Sequence, residues 1–105
     1  MDKVAVKMKT CMACKHRGQP GDIVVHHILP QDVAEQAGIA DVGTVNLCTH
    51  CRIELYAWLS RKVSSQTYDP GTKRFRIRSP EELAREYQAT YRAFIQYKKR
   101  QRKPF

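Results

Sequence analysis

No stretch of these 105 residues is long and apolar enough to cross a membrane as a helix, so no membrane-spanning role is expected. The opening MDKVAVKMKT lacks the apolar core of an export signal, which points to a cytoplasmic location. Acidic residues are few: 10 Asp and Glu face 19 Lys and Arg, for a formal charge of +9. There is no internal repeat at larger scale. The chain is too short for two independent cores, so a single domain over 1–105 is expected. Cysteine is sparse too, at 4, yet every one falls in a C-x2-C pair: CMAC at 11–14 and CTHC at 48–51.

A domain this small buries a modest fraction of its surface, so a structural metal would add needed stability. Two residues between cysteines let both thiolates of a pair face one ion, and tetrahedral zinc accepts four thiolates at about 2.3 Å. Cys11, Cys14, Cys48 and Cys51 are therefore expected to hold one structural zinc in a reducing compartment. Residues 15–47 would form a closed excursion between the two halves of the site. Four thiolates leave no open coordination position, so the site should be structural. Two disulfides, or a redox-active dithiol, are the alternatives.

Alternating and helical patterns suggest an α+β chain. Val4, Val6 and Met8 alternate with lysines as a short strand or ragged arm. HRGQPGD at 16–22 reads as a loop, Ile23 to His27 as a short strand ended by Pro30, and QDVAEQAG at 31–38 as two turns of helix ended by Gly38. From Arg52 the period becomes helical, with a face on Leu55, Leu59 and Val63; Tyr56 and Trp58 are expected in the core. A DPG turn at 69–71 precedes Lys73 to Arg78, where Phe75 and Ile77 face one way and Arg74, Arg76 and Arg78 the other. That alternation predicts a half-buried strand with a positive outer face. Ser79, Pro80 and Glu82 form a helix start with a capping box, and Leu83, Tyr87, Tyr91 and Phe94 make one apolar stripe. The tail QRKPF is expected to fray.

The basic excess is uneven. Residues 1–62 hold 8 Lys and Arg against 6 Asp and Glu, whereas 63–105 hold 11 against 4. Such asymmetry fits a polyanionic partner, with a solubilising surface as the alternative. The residues expected to meet phosphates are Arg52, Arg74, Arg76, Arg78, Lys98, Lys99, Arg100, Arg102 and Lys103.

Between the cysteine pairs stands VVHHILP, Val24 to Pro30. Alternation sends His26 and His27 to opposite faces of their strand. One imidazole could ligate a metal and the other take a proton from water, since the ordinary pKa lies near neutrality. A purely packing or hydrogen-bonding role is the competing reading. The order C-x2-C, HHILP, a leucine, C-x2-C and a helix resembles the HNH endonucleases. These form the His-Me finger or ββα-metal class, and the resemblance is to the branch clamped by four cysteines. It covers residues 9–60.

The resemblance implies a small zinc-stabilised ββα-metal, treble-clef-like core over 9–62, extended by a basic strand and a C-terminal helix over 63–105. It also implies that His26 ligates a catalytic divalent ion (Mg, Mn or Ni) and that His27 is the general base against a phosphodiester. Three positions depart from the pattern. Gly43 stands where the family usually has an asparagine that braces the loop carrying the base, and Asn46 is the nearest substitute. Arg52 and Tyr56 stand where the family commonly has histidines facing the metal. His50, between the second pair of cysteines, should point elsewhere. Asp41 and Glu54 are the acids that a changed geometry would recruit.

A single-metal nuclease needs its ion to polarise the phosphate and stabilise the leaving oxygen. With His26 alone, too few ligands remain. The leading expectation is therefore a zinc-stabilised HNH-like module that binds nucleic acid, DNA more than RNA, with impaired or no cleavage. An active, divergent metal-dependent endonuclease using His27 is the second. A structural or protein-binding module is the third, with a homodimer through the C-terminal helix as one form. Small stand-alone proteins of this kind resemble those of bacteria and their phages.

Overall fold

Strands β3 (Ile23–His27) and β4 (Thr44–Cys48) pair antiparallel, from Ile23 opposite Cys48 to His27 opposite Thr44. They belong to a computed structural model that describes residues 8–102. A smaller hairpin precedes them: β1 (Lys9–Thr10) with β2 (Arg17–Gly18), closed around the CMAC turn. Helix α1 (Gln31–Ala37) lies between β3 and β4, and α2 (Thr49–Lys62) follows β4 directly. A third hairpin, β5 (Gln66–Asp69) and β6 (Arg74–Ile77), leads into the long helix α3 (Pro80–Arg102). The chain is thus α+β, with three two-stranded sheets and three helices among the described residues. The expected strand at Val4 and Val6 lies outside the described residues; of the tail expected to fray, Gln101 and Arg102 continue α3, and 103–105 lie outside the described residues.

Local chemistry accounts for most of the boundaries. Gly38 ends α1 in the left-handed conformation (φ 72°), and its N–H reaches the carbonyls of Ala34 and Glu35. Cys48 is extended and caps α2, its sulfur accepting from the Cys51 amide. The helix therefore starts at Thr49, ahead of the expected Arg52, because the metal-type turn and the first helical turn are one structure. At α3 the capping box forms in both directions: Glu82 N–H donates to Ser79 Oγ at 3.2 Å, and Ser79 N–H donates to Glu82 Oε1 at 2.9 Å.

One face of the β3–β4 ribbon presents Val24, His26, Val45 and Leu47 to the helices. Leu47, Leu55 and Phe94 are fully buried with Ile23, Cys11 and Cys51; Trp58, Leu59, Tyr91 and Ile95 pack around them. A second cluster joins Leu29 and Ala34 to Ala84, with Tyr87 against it. Helix α3 closes both clusters, so the C-terminal segment shares the core of residues 9–62. Of the expected stripe, Phe94 is fully buried on this side, and Tyr87 and Tyr91 are partly buried against the two clusters.

Two expectations are corrected. Tyr56 is exposed (47%) rather than in the core, while Trp58 does pack, edge-on to Phe94 at 5.5 Å between centroids. Phe75 and Ile77 are 71% and 75% exposed, so β6 is not half-buried. Their alternation is as read, but among the described residues nothing covers the apolar face.

Phe94→Ala should lower the free energy of unfolding by about 3–5 kcal/mol, the scale of a buried aromatic truncation. Ser79→Ala should cost about 1 kcal/mol, as for a lost N-cap. Denaturant melts of both variants check this. An unchanged midpoint for Phe94→Ala would mean that α3 is not docked.

Candidate metal centre and histidine cleft

The four thiols converge although 34 residues separate Cys14 from Cys48 in sequence. All four are free, and their sulfurs lie within 4.8 Å of one another. A tetrahedron with metal–sulfur bonds of about 2.3 Å has edges of about 3.8 Å. The Cys14 and Cys48 sulfurs stand 3.7 Å apart, which fits. In each C-x2-C turn the first sulfur accepts from the amide of the second cysteine, Cys14 N–H to Cys11 Sγ at 3.5 Å and Cys51 N–H to Cys48 Sγ at 3.4 Å. Such donors stabilise thiolates. The β1–β2 hairpin is pinned to the main ribbon by Met12 N–H to the Asn46 carbonyl at 2.7 Å, which sets the first pair against the second.

The electrostatics point to a cation. Burial pushes the Cys11 thiol up, but amide donors from Cys14, Cys48 and Ala13 outweigh it and bring it down to about 7. Burial drives Cys14 and Cys51 up, and Cys51 is pushed further by the neighbouring thiols of Cys48 and Cys14. One thiol ionises readily and its neighbours then resist, so four thiolates in this volume need a positive ion among them. A buried all-sulfur tetrahedral set suits a structural metal ion, and zinc fits that donor chemistry.

Lys98 lies beside this centre. Its side chain is 10% exposed and its ammonium meets Glu54 Oε1 at 2.9 Å. Burial works against the charge, but the Glu54 hydrogen bond, the Cys51 thiolate, the Glu54 charge and the Cys14 thiolate hold the Lys98 pKa up. Lys98 was expected to meet phosphate; it faces inward because it continues the stripe Tyr87, Tyr91, Phe94 at helical spacing. That spacing was the available signal for the Lys98–Glu54 pair, which the sequence reading missed.

The histidine strand ends at the mouth of a half-open cleft of about 1050 Å³, bounded by α1, α2 and α3. His26 is 6% exposed and His27 faces solvent, as alternation requires. Across from His26, Tyr56 meets it edge-on at 5.8 Å and 74°. The Arg52 guanidinium lies 5.6 Å from the Tyr56 ring centroid. Both come from the first two turns of α2, at spacing i, i+4 on one face. Burial lowers the His26 pKa from 6.5, and the Arg52 charge and His27 lower it further, so the inner imidazole is held neutral.

The loop behind the histidines is braced by main chain. Ile28 N–H donates to the Gly43 carbonyl at 2.9 Å and Leu29 N–H to that of Val42 at 3.1 Å. Gly43 has φ 70°, and a Cβ there would come 3.2 Å from Ile28 Cδ1. Asp41 Oδ1 accepts from Gly43 N–H at 2.9 Å, so this acid braces the turn instead of joining the histidines. Asn46 sits opposite Val25 rather than His27. Glu54 is taken by Lys98, with His50 Nε2 at 3.7 Å, and His50 is 83% exposed.

The remaining expected phosphate contacts divide. Arg74, Lys99 and Arg100 are exposed. Arg76 grips Glu82 in a two-pronged pair at 2.7 and 2.9 Å, and Arg78 lies 3.4 Å from Glu86. Arg102 ends α3, and Lys103 lies outside the described residues. The cysteines are brought together and Arg52 is brought to the histidines; the basic residues of β6 and α3 do not join that site. No helix among the described residues is long and apolar enough to cross a membrane. No protein-family model, curated protein or solved structure matches the chain.

Purified protein should carry about one zinc per chain by elemental analysis, and chelation should abolish cooperative melting, as metal binding and folding are coupled. Cys51→Ser should do the same; full stability after complete chelation would overturn the assignment. His26 should remain neutral in an NMR titration where a free imidazole, at about 6.5, is half protonated. The sign follows from the lowered pKa: its contribution to stability is complete above the unfolded value and is lost as pH falls through the folded one. Arg52→Ala should raise the His26 pKa.

Proposed function

We propose that this chain is a zinc-stabilised, HNH-like module that binds nucleic acid and does not cleave it efficiently. One observation carries the reading. Among the described residues, the four cysteines are the sole group of three or more His, Cys, Asp or Glu side chains that could share an ion. Among the described residues no third such side chain stands close enough to share an ion with His26 and His27, and the helix across the cleft turns Arg52 and Tyr56 toward His26.

Chemically, that substitution favours binding over cutting. A divalent ion polarises a phosphodiester and stabilises the departing oxygen. An arginine pairs with phosphate oxygens but does neither as strongly. A fixed guanidinium where a cation would sit also repels one. The charge of +9 supports a polyanion as partner, and DNA is the form proposed first. The four-thiolate site would serve as the clamp that keeps β3 and α2 facing each other across the cleft.

Duplex DNA should be retarded in a gel at low salt and released as salt rises, and Arg52→Ala should lower the steepness of that dependence by about one phosphate contact. Supercoiled plasmid incubated with the protein and Mg, Mn, Ni or Zn should stay unnicked. Nicking that needs added metal and disappears in His27→Ala would instead make this an active endonuclease. Failure to bind DNA at any salt would leave the zinc centre as a structural device for some other partner.

A further inference from the structure

The β5–β6 hairpin is the least explained part of the molecule. It is a two-stranded ribbon with no sheet neighbour on either edge among the described residues. The register pairs Tyr68 with Phe75 and Gln66 with Ile77 on one face. That face is open: Tyr68 is 52% exposed, Phe75 71% and Ile77 75%. Tyr68 and Phe75 meet edge-to-face at 5.6 Å, so the apolar surface is preformed. Three large side chains this exposed on one face of a small ribbon make that face a candidate interaction surface.

The base of the ribbon is braced. Arg76 holds Glu82 with both guanidinium nitrogens, and Glu82 is at the same time half of the capping box of α3. Arg78 approaches Glu86, and its main-chain N–H donates to the Ser65 carbonyl at 2.8 Å. The two arginines act as struts. The tip is different. Lys73 adopts φ 57° beyond the Asp69–Pro70–Gly71 turn, and among the described residues neither Lys73 nor Arg74 makes an ion pair.

A braced ribbon with an apolar face and cations at its tip suits one occupant better than the others. A second copy adding to β6 antiparallel about Arg76 would set Arg74 opposite Arg78, and like charges directly opposite are destabilising. A polyanion turns the same charges to advantage. The major groove of duplex DNA is wide enough for a two-stranded ribbon and presents thymine methyl groups to apolar side chains.

We propose that the β5–β6 hairpin is a DNA-reading arm that enters the major groove, with Phe75 and Ile77 against thymine methyls and Lys73 and Arg74 on the flanking phosphates. This rests on the nucleic-acid reading above and adds a second contact surface, separate from the histidine cleft.

The test is fluorescence anisotropy on a short thymine-rich DNA duplex and on the same duplex with uracil in place of thymine. The uracil duplex lacks only the methyl groups. The native chain should bind the thymine duplex more tightly. Phe75→Ala combined with Ile77→Ala should weaken binding about tenfold and erase the thymine preference, the scale of one lost base-edge contact. Zinc content should not change and melting should shift little, because both side chains are exposed and the Tyr68–Phe75 contact is the packing lost. Equal binding of the two duplexes by the native chain, or unchanged affinity in the double variant, overturns the arm and leaves the broader reading standing. A native chain that binds no duplex at low salt overturns both. A dimer in sedimentation that the double variant dissociates, with duplex affinity intact, assigns the face to a second copy and overturns the arm.

Discussion

Four sulfurs held within 4.8 Å of one another draw together two turns from distant parts of the chain, and most of the architecture follows from that convergence. The CMAC turn can reach the CTHC turn only if the first hairpin lies across the end of β4, and the Met12–Asn46 hydrogen bond shows that it does. Cys48 is at once the last strand residue, a ligand-type side chain and the cap of α2. The strand and the helix therefore have no loop between them in which to vary. Leu55 and Phe94 pack on the inner side of this junction, and α3 is fastened there. Lys98, buried beside sulfurs that would be net negative with a metal bound, adds an electrostatic reason for α3 to stay.

The same convergence positions the histidine cleft without taking part in it. Because β3 ends opposite the first turns of α2, His26 is directed at Tyr56 and thereby into reach of Arg52. A neutral, buried imidazole, an exposed one and a guanidinium line the cleft, with the Glu35 carboxylate in its opposite wall. Gly43 shows how the loop can keep its shape without an asparagine at that position: its carbonyl accepts from Ile28, its amide donates to the Asp41 carboxylate, and its positive φ allows both at once.

The basic residues show why a charge count is a weak guide to a binding face. Of the cations that alternate along β6, Arg76 and Arg78 meet glutamates from the first turns of α3, while Arg74 remains open. Lys98 is turned inward, and Lys99 beside it in sequence is turned out. Charge in the sequence is a property of residues, whereas charge available to a partner is a property of what each residue already holds.

How much of this was legible beforehand depends on the range of the interaction involved. Cysteine spacing, the Gly38 stop, the Ser79–Glu82 capping box and the opposed faces of His26 and His27 are local matters, set within a few residues by backbone geometry and hydrogen bonding. The sequence alone determined them. The exposure of Phe75, Ile77 and Tyr56, the capture of Lys98 by Glu54 and the diversion of Arg76 and Arg78 depend on which elements come to lie beside one another. An alternating strand such as β6 presents an apolar face whether or not anything covers it, and helical spacing can set Lys98 on the inner side without naming the acid that meets it there. Only the tertiary structure decided those points, because burial and ion pairing are properties of neighbours distant in sequence.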